Sequence, residues 1–457
     1  MRIFLLILSL PIYIIAAEPP TSETAIIGRF ARGPFDTPVR VNAAKFDELF
    51  ASNNPQNWSA EIQVRQFFRN GGSEIEVIRI DADLLLAQAL MPSENIGRPR
   101  GLGWLPILSD LGLLLVPELA ELPVSDRNPL LEKIREFAAS QHFTLILDPP
   151  KAAGTIDSII SWRDDLPDGL GFAVLYYPHI MVNPAAIGAG SGFSFPTGAS
   201  GSVAARIAQK DAVSGIWENP AGPDATIQAD GLTFLPSNFE LDQLNSAHIN
   251  VIRDLPSSGI VLWGARTLDK SNVENRYLSA VRTRRWILHN LQRTLTFAAF
   301  EENDSTLWTY LRSSAEAFLH NLYLRGAFAG ATPEQSYFVL CDATTTSAVD
   351  IQNHRANLIT GLALISPMTF YNDAISLQTL DLNRPTPLSQ RFLGPPIGNE
   401  LTVFYSTTPG FHFTMEQTVD LSGDFWLPGH RLSGDGSWNR VGIPLTGQQR
   451  FIRIRTD

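Results

Sequence analysis

The amino-acid sequence predicts a fold between α/β and α+β, followed by a small all-β module. Short apolar strands alternate with amphipathic helices over most of the chain, a pattern typical of α/β proteins. Gly and Pro number 33 and 31, so many turns interrupt the elements, which favours a sheet-rich chain over a helical bundle. The residues after 398 change to short strands separated by Gly, Asp and Ser turns, which predicts a separate β module.

The first half of the chain alternates between the two kinds of element. We predict strands at 24–30, 74–80, 111–117, 144–147, 171–177 and 259–264. We predict helices at 44–50, 61–69, 129–140, 156–164 and 203–211. Strands that alternate with helices of this size predict a partly parallel sheet.

Two long helices follow at 278–295 and 308–322. Apolar residues recur at helical spacing on one face of each, namely Leu278, Val281, Leu288, Leu291 and Leu295, then Trp308, Leu311, Ala315, Phe318 and Leu322. Further strands are predicted at 337–340, 358–365, 369–377, 401–405, 412–419 and 450–455.

Composition limits the possible functions. The chain has 457 residues, 44% of them hydrophobic and 18% charged, which predicts a globular protein of roughly two or three domains. The net charge of −11 argues against nucleic acid or an anionic membrane surface as the main partner. One Cys allows no internal disulfide, and no Cys/His cluster has zinc-ligand spacing, so we predict no metal and no cofactor.

The first seventeen residues have the pattern of a secretory signal peptide. Met1-Arg2 is a basic start, residues 3–15 are mostly apolar, and Ala16-Ala17 offers a small residue for cleavage. The alternatives are an N-terminal strand or a misplaced start. The apolar run is too short to span a bilayer, and no later segment is long enough, so we predict no stable membrane span.

A charged stripe runs beside the apolar face of the first long helix. It consists of Arg282, Arg285, His289 and Arg293, and the carboxylates Glu301, Glu302 and Asp304 follow before the second helix. A stripe of this kind is most often a solvated face, and the carboxylates read best as a helix cap. The alternative is that these seven residues form a charged interface between copies of the chain.

Three features of the sequence could indicate an enzyme, and for each of them we favour a structural explanation. Cys341 ends the apolar run 337–340, where a buried thiol is expected and a reactive thiolate is not. Gly198-Ala-Ser200-Gly-Ser202 departs from the serine-hydrolase elbow at position 202, and no His or Asp motif completes a triad. The loop 188–192 is Gly-rich but lacks the Lys-Ser/Thr ending of a phosphate-binding loop. We therefore predict no catalytic residue.

Between residues 200 and 370 the sequence resembles the contractile tail sheath protein family of phage tails and extracellular injection systems. The matching pieces are Ser202–Arg206, Asp211, Gly215–Ala221, Leu244-Asn245, Ile249-Asn250, Ile252-Arg253, Gly259–Leu268, Phe300-Glu301, Asn303-Asp304, Leu307-Trp308, Gly326-Ala327, Gly330–Glu334 and Cys341-Asp342. Fainter pieces upstream are Gly28-Arg29, Arg32–Pro34, Phe68, Gly71-Gly72, Leu147–Pro150 and Tyr176–Pro178.

The resemblance implies a non-catalytic structural subunit that assembles with itself into a helical cylinder around an inner tube and meets a baseplate. A head-to-tail interface of this kind propagates into a helix instead of closing. The resemblance implies the N-terminal part of the sheath core at 18–80, a variable insertion at 81–104, a middle domain of subtilisin-like topology at 105–240 and a sheath C-terminal domain at 241–378. Composition adds the signal peptide at 1–17, a linker at 379–398 and a β module at 399–457.

The chain departs from the family pattern at both ends. A signal-like segment stands where sheath proteins have an extended arm, and a linker and a β module follow the segment 369–377, where the other arm is expected. The module is similar to β modules that close some exported bacterial proteins. The alternative function is therefore an exported, non-polymerising protein that binds a surface partner through this module. The signal peptide suggests export, whereas sheath resemblance suggests assembly in the cytoplasm, so the sequence leaves the location open.

Overall fold

The computed structural model describes residues 21–380 apart from 53, 94–98, 109, 189 and 191, and the backbone of the segments 391–393, 400–406, 412–418, 427–433, 438–444 and 451–456. The predicted signal peptide and most of the predicted linker lie outside the described residues. Among those that are described, no helix combines the length and the apolar character needed to cross a bilayer.

The strands that build the main part of the fold fall into three sheets. They are β1 (Glu23–Gly28), β2 (Val39–Val41), β3 (Ile75–Arg79), β4 (Leu111–Leu115), β5 (Thr144–Leu147), β6 (Ala173–Tyr177), β7 (Ile180–Val182), β8 (Phe195–Thr197), β9 (Gly231–Leu232), β10 (Asn250–Leu255), β11 (Gly259–Trp263), β12 (Tyr337–Leu340), β13 (Arg355–Leu362) and β14 (Tyr371–Gln378).

Helices separate most of these strands. The α-helices are α1 (Ala43–Leu49), α2 (Ser59–Arg69), α3 (Leu86–Leu90), α4 (Val124–Ser140), α5 (Ile156–Asp164), α6 (Ser200–Ser214), α7 (Asn238–Ser246), α8 (Leu278–Thr294), α9 (Ser305–Leu324), α10 (Pro333–Ser336) and α11 (Ala348–Gln352). Short 3₁₀ helices occupy Pro55–Asn57, Gly101–Ile107, Pro117–Glu121, Pro184–Ile187, Val273–Asn275 and Leu295–Phe300.

An eight-stranded sheet forms the centre of the molecule, in the order β11-β10-β6-β5-β4-β1-β3-β2. The six inner strands are parallel, whereas the edge strands β11 and β2 run antiparallel to their neighbours. The predicted partly parallel sheet is therefore confirmed. β7, β8 and β9 form a small antiparallel sheet beside it.

Helices cover both faces of this sheet, because the inner strands are apolar on both sides. On β4, Leu114 packs with α4, α5 and α7 on one face, whereas Leu113 and Leu115 pack with α1, α2 and α6 on the other. Strands buried on both faces read as continuous apolar runs, which is why β4, β5 and β6 were predictable. The described part of the predicted insertion also joins the core, through Leu90 and Leu102.

A third core holds the C-terminal part of the main fold together. Helices α8 and α9 contribute Trp286, Leu291 and Leu311, and the sheet β12-β13-β14 contributes Val339 and Leu358. The apolar periodicity predicted for the two long helices therefore marks a real packing face.

Beyond residue 390 the described segments are strands, in agreement with the predicted all-β module. They are β15 (Arg391–Leu393), β16 (Glu400–Ser406), β17 (His412–Thr418), β18 (Leu427–Ser433), β19 (Trp438–Pro444) and β20 (Phe451–Thr456). They pair antiparallel as β15-β16-β19 and β18-β17-β20. β15 falls inside the predicted linker, and β18 and β19 were not predicted.

Two elements differ from the prediction for clear physical reasons. The helix predicted at 129–140 begins earlier, at Val124, so that Pro129 lies inside α4, although proline is most often found in the first helical turn. β10 was not predicted, because the charged pair Arg253-Asp254 interrupts its apolar residues. It forms because β6 and β11 flank it and pair with it.

Candidate inter-subunit surfaces

The C-terminal sheet has one face in the core and one face turned outward. Its antiparallel register places Leu340 opposite Ile359, and Ile359 opposite Ala374. Since side chains alternate along a strand, Val339 and Leu358 enter the third core and these three residues lie on the other side. Leu340 is 44% exposed, so an apolar side chain stands at the open margin of the sheet.

A tight aromatic contact shapes the outward face. The rings of Phe338 and Phe370 meet edge to face with centroids 5.1 Å apart. Phe338 lies over Gly361 on the neighbouring strand, where a Cβ atom would come within 2.0 Å of the ring. Glycine at position 361 is therefore required for the ring to lie flat on the sheet.

Both margins of this sheet are open within the described part of the chain. β12 pairs only with β13, and β14 pairs only with β13, so the outer side of each edge strand carries no partner strand there. An edge strand presents backbone N–H and C=O groups that can pair with another chain. This arrangement can accept an added strand.

Arg282, the first member of the predicted charged stripe, is buried. Its side chain is 2% exposed and donates hydrogen bonds of 2.9 and 2.6 Å to the carboxylate of Asp211 in α6. A third bond of 3.1 Å reaches the carbonyl oxygen of Thr21, where the described chain begins. The interpretation of this position as a solvated helix face is wrong, because the paired carboxylate offsets the cost of burying the guanidinium.

The rest of the stripe also faces its own chain. Arg285 donates to the carbonyl oxygens of Ala138, of Gln141 at 2.9 Å and of Phe143 at 3.2 Å, at the C-terminal end of α4. Burial lowers the pKa of Arg285 to about 10. A cation at this position satisfies the last carbonyls of a helix and complements its dipole.

Two further contacts join α8 to the main sheet. The ring of His289 lies 4.5 Å from that of His142, centroid to centroid, and Arg293 pairs with Asp110 at 2.6 Å. The side of α8 that carries the stripe is thus a joint between the third core and the central sheet. As an interface between copies, the stripe stays a prediction, and Arg282 has almost no surface to offer.

The carboxylates that follow the stripe divide into a cap and an exposed pair. Asp304 accepts hydrogen bonds of 2.9 Å from the backbone N–H groups of Thr306 and Leu307, which confirms it as the cap of α9. Glu301 and Glu302 are exposed, and the carbonyl oxygen of Glu301 accepts from the N–H of Leu380 just beyond β14. The acidic turn therefore lies beside the end of the C-terminal sheet.

Cys341 is part of the third core. Its side chain is 1% exposed at the end of β12, and burial, followed by the negative charge of Asp342, raises the pKa of the thiol to about 11. The prediction of a core residue is confirmed. A thiol in this setting stays protonated at neutral pH and is a poor nucleophile.

Ser200 opens helix α6 and is bound directly to an aspartate. Its hydroxyl donates to one oxygen of Asp148 at 2.6 Å, and its backbone N–H donates to the other at 2.8 Å. Burial raises the pKa of Asp148 to about 6. The carboxylate therefore caps α6 across 52 positions of sequence. Sequence reasoning missed this pair, although Asp148 ends a predicted strand and Ser200 begins a helix.

The Ser200 hydroxyl is not arranged for nucleophilic catalysis. It is buried, and it donates to the carboxylate itself instead of to an intervening histidine base. His179, in the same region, has its Nε2 atom 3.3 Å from the carbonyl oxygen of Pro149. Gly198 is held close to Asp148, where a Cβ would come within 2.2 Å of the carboxyl group. Among the described residues, no group of three or more His, Cys, Asp and Glu could hold a metal ion.

Solved structures from contractile injection systems and tail sheaths share this fold. The chain matches the PVC sheath complex of an extracellular contractile injection system in its contracted state, with a TM-score of 0.61, 22% identity, and coverage of 81% of this chain and 95% of that one. This chain has the fold of a contractile sheath subunit. The predicted resemblance is thereby confirmed at the level of the fold.

Further structures support the same conclusion. A chain of the anti-feeding prophage baseplate in its contracted state matches with a TM-score of 0.61, 23% identity, and coverage of 80% and 95%. The sheath tail protein of Listeria innocua matches with a TM-score of 0.52, 10% identity, and coverage of 79% and 95%. No family profile and no curated protein sequence matches the chain. Subtilisin-like topology in the middle part stays a prediction.

Proposed function

We propose that this chain is a structural subunit that assembles with copies of itself into a helical, contractile sheath around an inner tube. The observation that carries the proposal is the fold that the chain shares with sheath structures of injection systems and with the sheath tail protein of Listeria innocua. In this role the protein catalyses no reaction. Its activity is to polymerise and to change the packing between subunits.

The C-terminal sheet supports this role by offering a place for another copy to join. Among the described residues no strand pairs with the outer side of β12 or of β14, and Leu340 and Ile359 add an apolar strip to the outward face. Backbone pairing supplies affinity in strand addition, and side-chain contacts fix the register. We assign this sheet as the main joint between subunits.

The acidic turn beside β14 is the most exposed part of the predicted interface. Glu301 and Glu302 are exposed, whereas Arg282 is buried and Arg285 and Arg293 are half-buried. We propose that the two glutamates face a basic group of the next copy or of the baseplate. Charges at the rim of an interface steer association and change its salt dependence more than its strength.

A rigid connection between the cores is also expected of a subunit under mechanical load. Arg282, Arg285 and Arg293 fasten α8 to three separate parts of the central unit. Arg282 also binds Thr21, so tension on the segment before residue 21 would act on the joint between α6 and α8. The stripe therefore serves the assembly indirectly, by keeping the subunit stiff.

Assembly of the purified protein tests the proposal. The full chain and the chain lacking residues 1–17 would be examined by negative-stain microscopy and light scattering, with and without a tube protein from the same source. We expect helical, high-mass particles for at least one of the two forms. A monodisperse monomer under all conditions would contradict the proposal and favour an exported, non-polymerising protein.

A further inference from the structure

A groove opens between helix α7 and the edge strand β11 on one face of the eight-stranded sheet. Its volume is about 490 Å³, which lies within the range of small-molecule sites. Leu244 of α7 packs into the core beneath it, whereas Trp263 on β11 stays 38% exposed in its wall. The groove lies apart from the C-terminal sheet that we assign to assembly.

One wall of the groove is a polar stripe of α7. Asn238, Asp242 and Asn245 recur at i, i+4 and i+7, so they share a helix face, and all three line the groove. Within the described part of the chain, none of their side chains has a hydrogen-bond partner. Together they offer two amide groups, which both donate and accept, and one carboxylate, which accepts.

The rest of the groove is fixed by internal contacts. The Asn250 side chain accepts from the backbone N–H of Arg266 at 2.7 Å and donates to its carbonyl at 2.8 Å. The guanidinium of Arg253 lies 5.1 Å from the centroid of the Trp263 ring. A flat aromatic surface that is already held in place loses little freedom when a ligand stacks on it.

The lining argues against several kinds of ligand. A peptide strand cannot pair with β11 here, because Gly222, Ala225 and Ile227 already bond to that edge of the strand. An anion is disfavoured, because no Lys or Arg lines the groove and Asp242 does. An apolar ligand would find little exposed apolar surface besides the indole, since Ile249 and Val251 are buried.

We propose that this groove binds a neutral saccharide. The Trp263 ring provides a flat surface for the C–H face of a sugar ring, and Asn238, Asp242 and Asn245 provide hydrogen-bond partners for its hydroxyl groups. An amphipathic aromatic surface next to a few fixed polar groups is the arrangement that such a ligand needs. No residue of the groove lining belongs to the C-terminal sheet that we assign to assembly, so either proposal can fail while the other stands.

Calorimetric titration of the full chain with cellobiose, maltose, lactose and N,N′-diacetylchitobiose tests the site. We expect at least one of them to bind with a Kd of roughly 10 mM or tighter, and Trp263→Ala and Asp242→Ala each to weaken binding about tenfold or more. Phe239→Ala, at a 73% exposed aromatic of the same helix outside the groove lining, should leave binding unchanged.

Three results would overturn the saccharide site. The first is no heat of binding with any of the four disaccharides. The second is binding that survives both groove substitutions, or that Phe239→Ala weakens equally. The third is adenosine binding as tightly as the best disaccharide, which would assign the aromatic surface to nucleobases. If Trp263→Ala lowers the Tm strongly, Trp263→Phe and Asp242→Ala still decide the question, because neither removes a buried side chain.

Discussion

Arg282 in α8 and Asp211 in α6 form a bidentate ion pair in which both side chains are 2% exposed. The pair joins the helix that anchors the third core to a helix that covers the central sheet. Because Arg282 also binds the Thr21 carbonyl, three parts of the chain meet at one guanidinium.

Removing one member of this pair should destabilise the fold strongly. Arg282→Met leaves the Asp211 carboxylate buried without its partner, so we expect a loss of about 3–5 kcal/mol in the free energy of unfolding. Chemical denaturation measures it. Lys133→Met, which breaks the exposed pair with Glu136, is the matched control and should cost no more than about 1 kcal/mol. Equal losses of unfolding free energy in the two variants would show that the Arg282–Asp211 pair does not stabilise the contact between α6 and α8.

A methyl group at Gly361 should disturb the outward face of the C-terminal sheet. Gly361→Ala puts its Cβ into the Phe338 ring, so we expect a loss of about 1–3 kcal/mol in unfolding free energy. Phe338→Leu combined with Gly361→Ala should recover part of that loss. Gly154→Ala is the control, because a Cβ there meets nothing within 4 Å. Additive losses in the double variant would argue against the contact.

The single thiol should be inert in the folded protein. Burial raises the pKa of Cys341 to about 11, so thiolate at pH 8 is scarce and shielded. We expect iodoacetamide to label native protein at least about 100-fold more slowly than protein unfolded in guanidinium. Mass spectrometry measures the labelled fraction directly, because the chain has one Cys and the label can add only once. Labelling of the native form at near the unfolded rate would place the thiol in an accessible site.

The cap on α6 should make stability depend on pH in a definite direction. The folded pKa of Asp148 is raised to about 6 from 3.8, so the folded state holds this proton more tightly than the unfolded state. Its contribution is fully present below about pH 4 and is lost as the pH rises to about 6. Integrated over this shift, the loss is roughly 3 kcal/mol.

Asp148→Asn isolates that contribution. Asparagine cannot titrate, so the stability difference between the natural protein and the variant should fall by about 3 kcal/mol between pH 4 and pH 7. Denaturation at several pH values measures it, and other titrating groups, including Glu118, cancel in the difference. A difference that is flat with pH, or that grows, would show that the carboxylate is not buried as described.

Local sequence patterns predicted the elements whose own residues determine them. The strands β4, β5 and β6 are predictable as apolar runs because they are buried along their whole length, and α8 and α9 are predictable because one periodic face of each is buried. β10 and the short strands β2, β7, β8 and β9 were missed, since they depend on neighbours that are distant in the chain.

The same limit explains the errors at the candidate surfaces. Periodicity places Arg282 and Arg285 on one stripe but cannot show that Asp211 and the end of α4 face them. Asp148 and Ser200 are recognisable as a strand end and a helix start, yet their hydrogen bond spans 52 positions. The cap that Asp304 forms on α9 was predictable, because Asp304 directly precedes the helix in the sequence.

The most direct test of assembly through the C-terminal sheet is whether one charge at the open edge of β12 prevents it. Leu340→Lys adds a cation to edge strand β12, whereas Leu324→Lys makes the same change at a 71% exposed leucine that ends α9. Sedimentation velocity would compare both with the natural protein. We predict large assemblies for the natural protein and Leu324→Lys, and a folded monomer of unchanged Tm for Leu340→Lys. Assembly of Leu340→Lys at the natural level, or a natural protein that stays monomeric, would contradict the account.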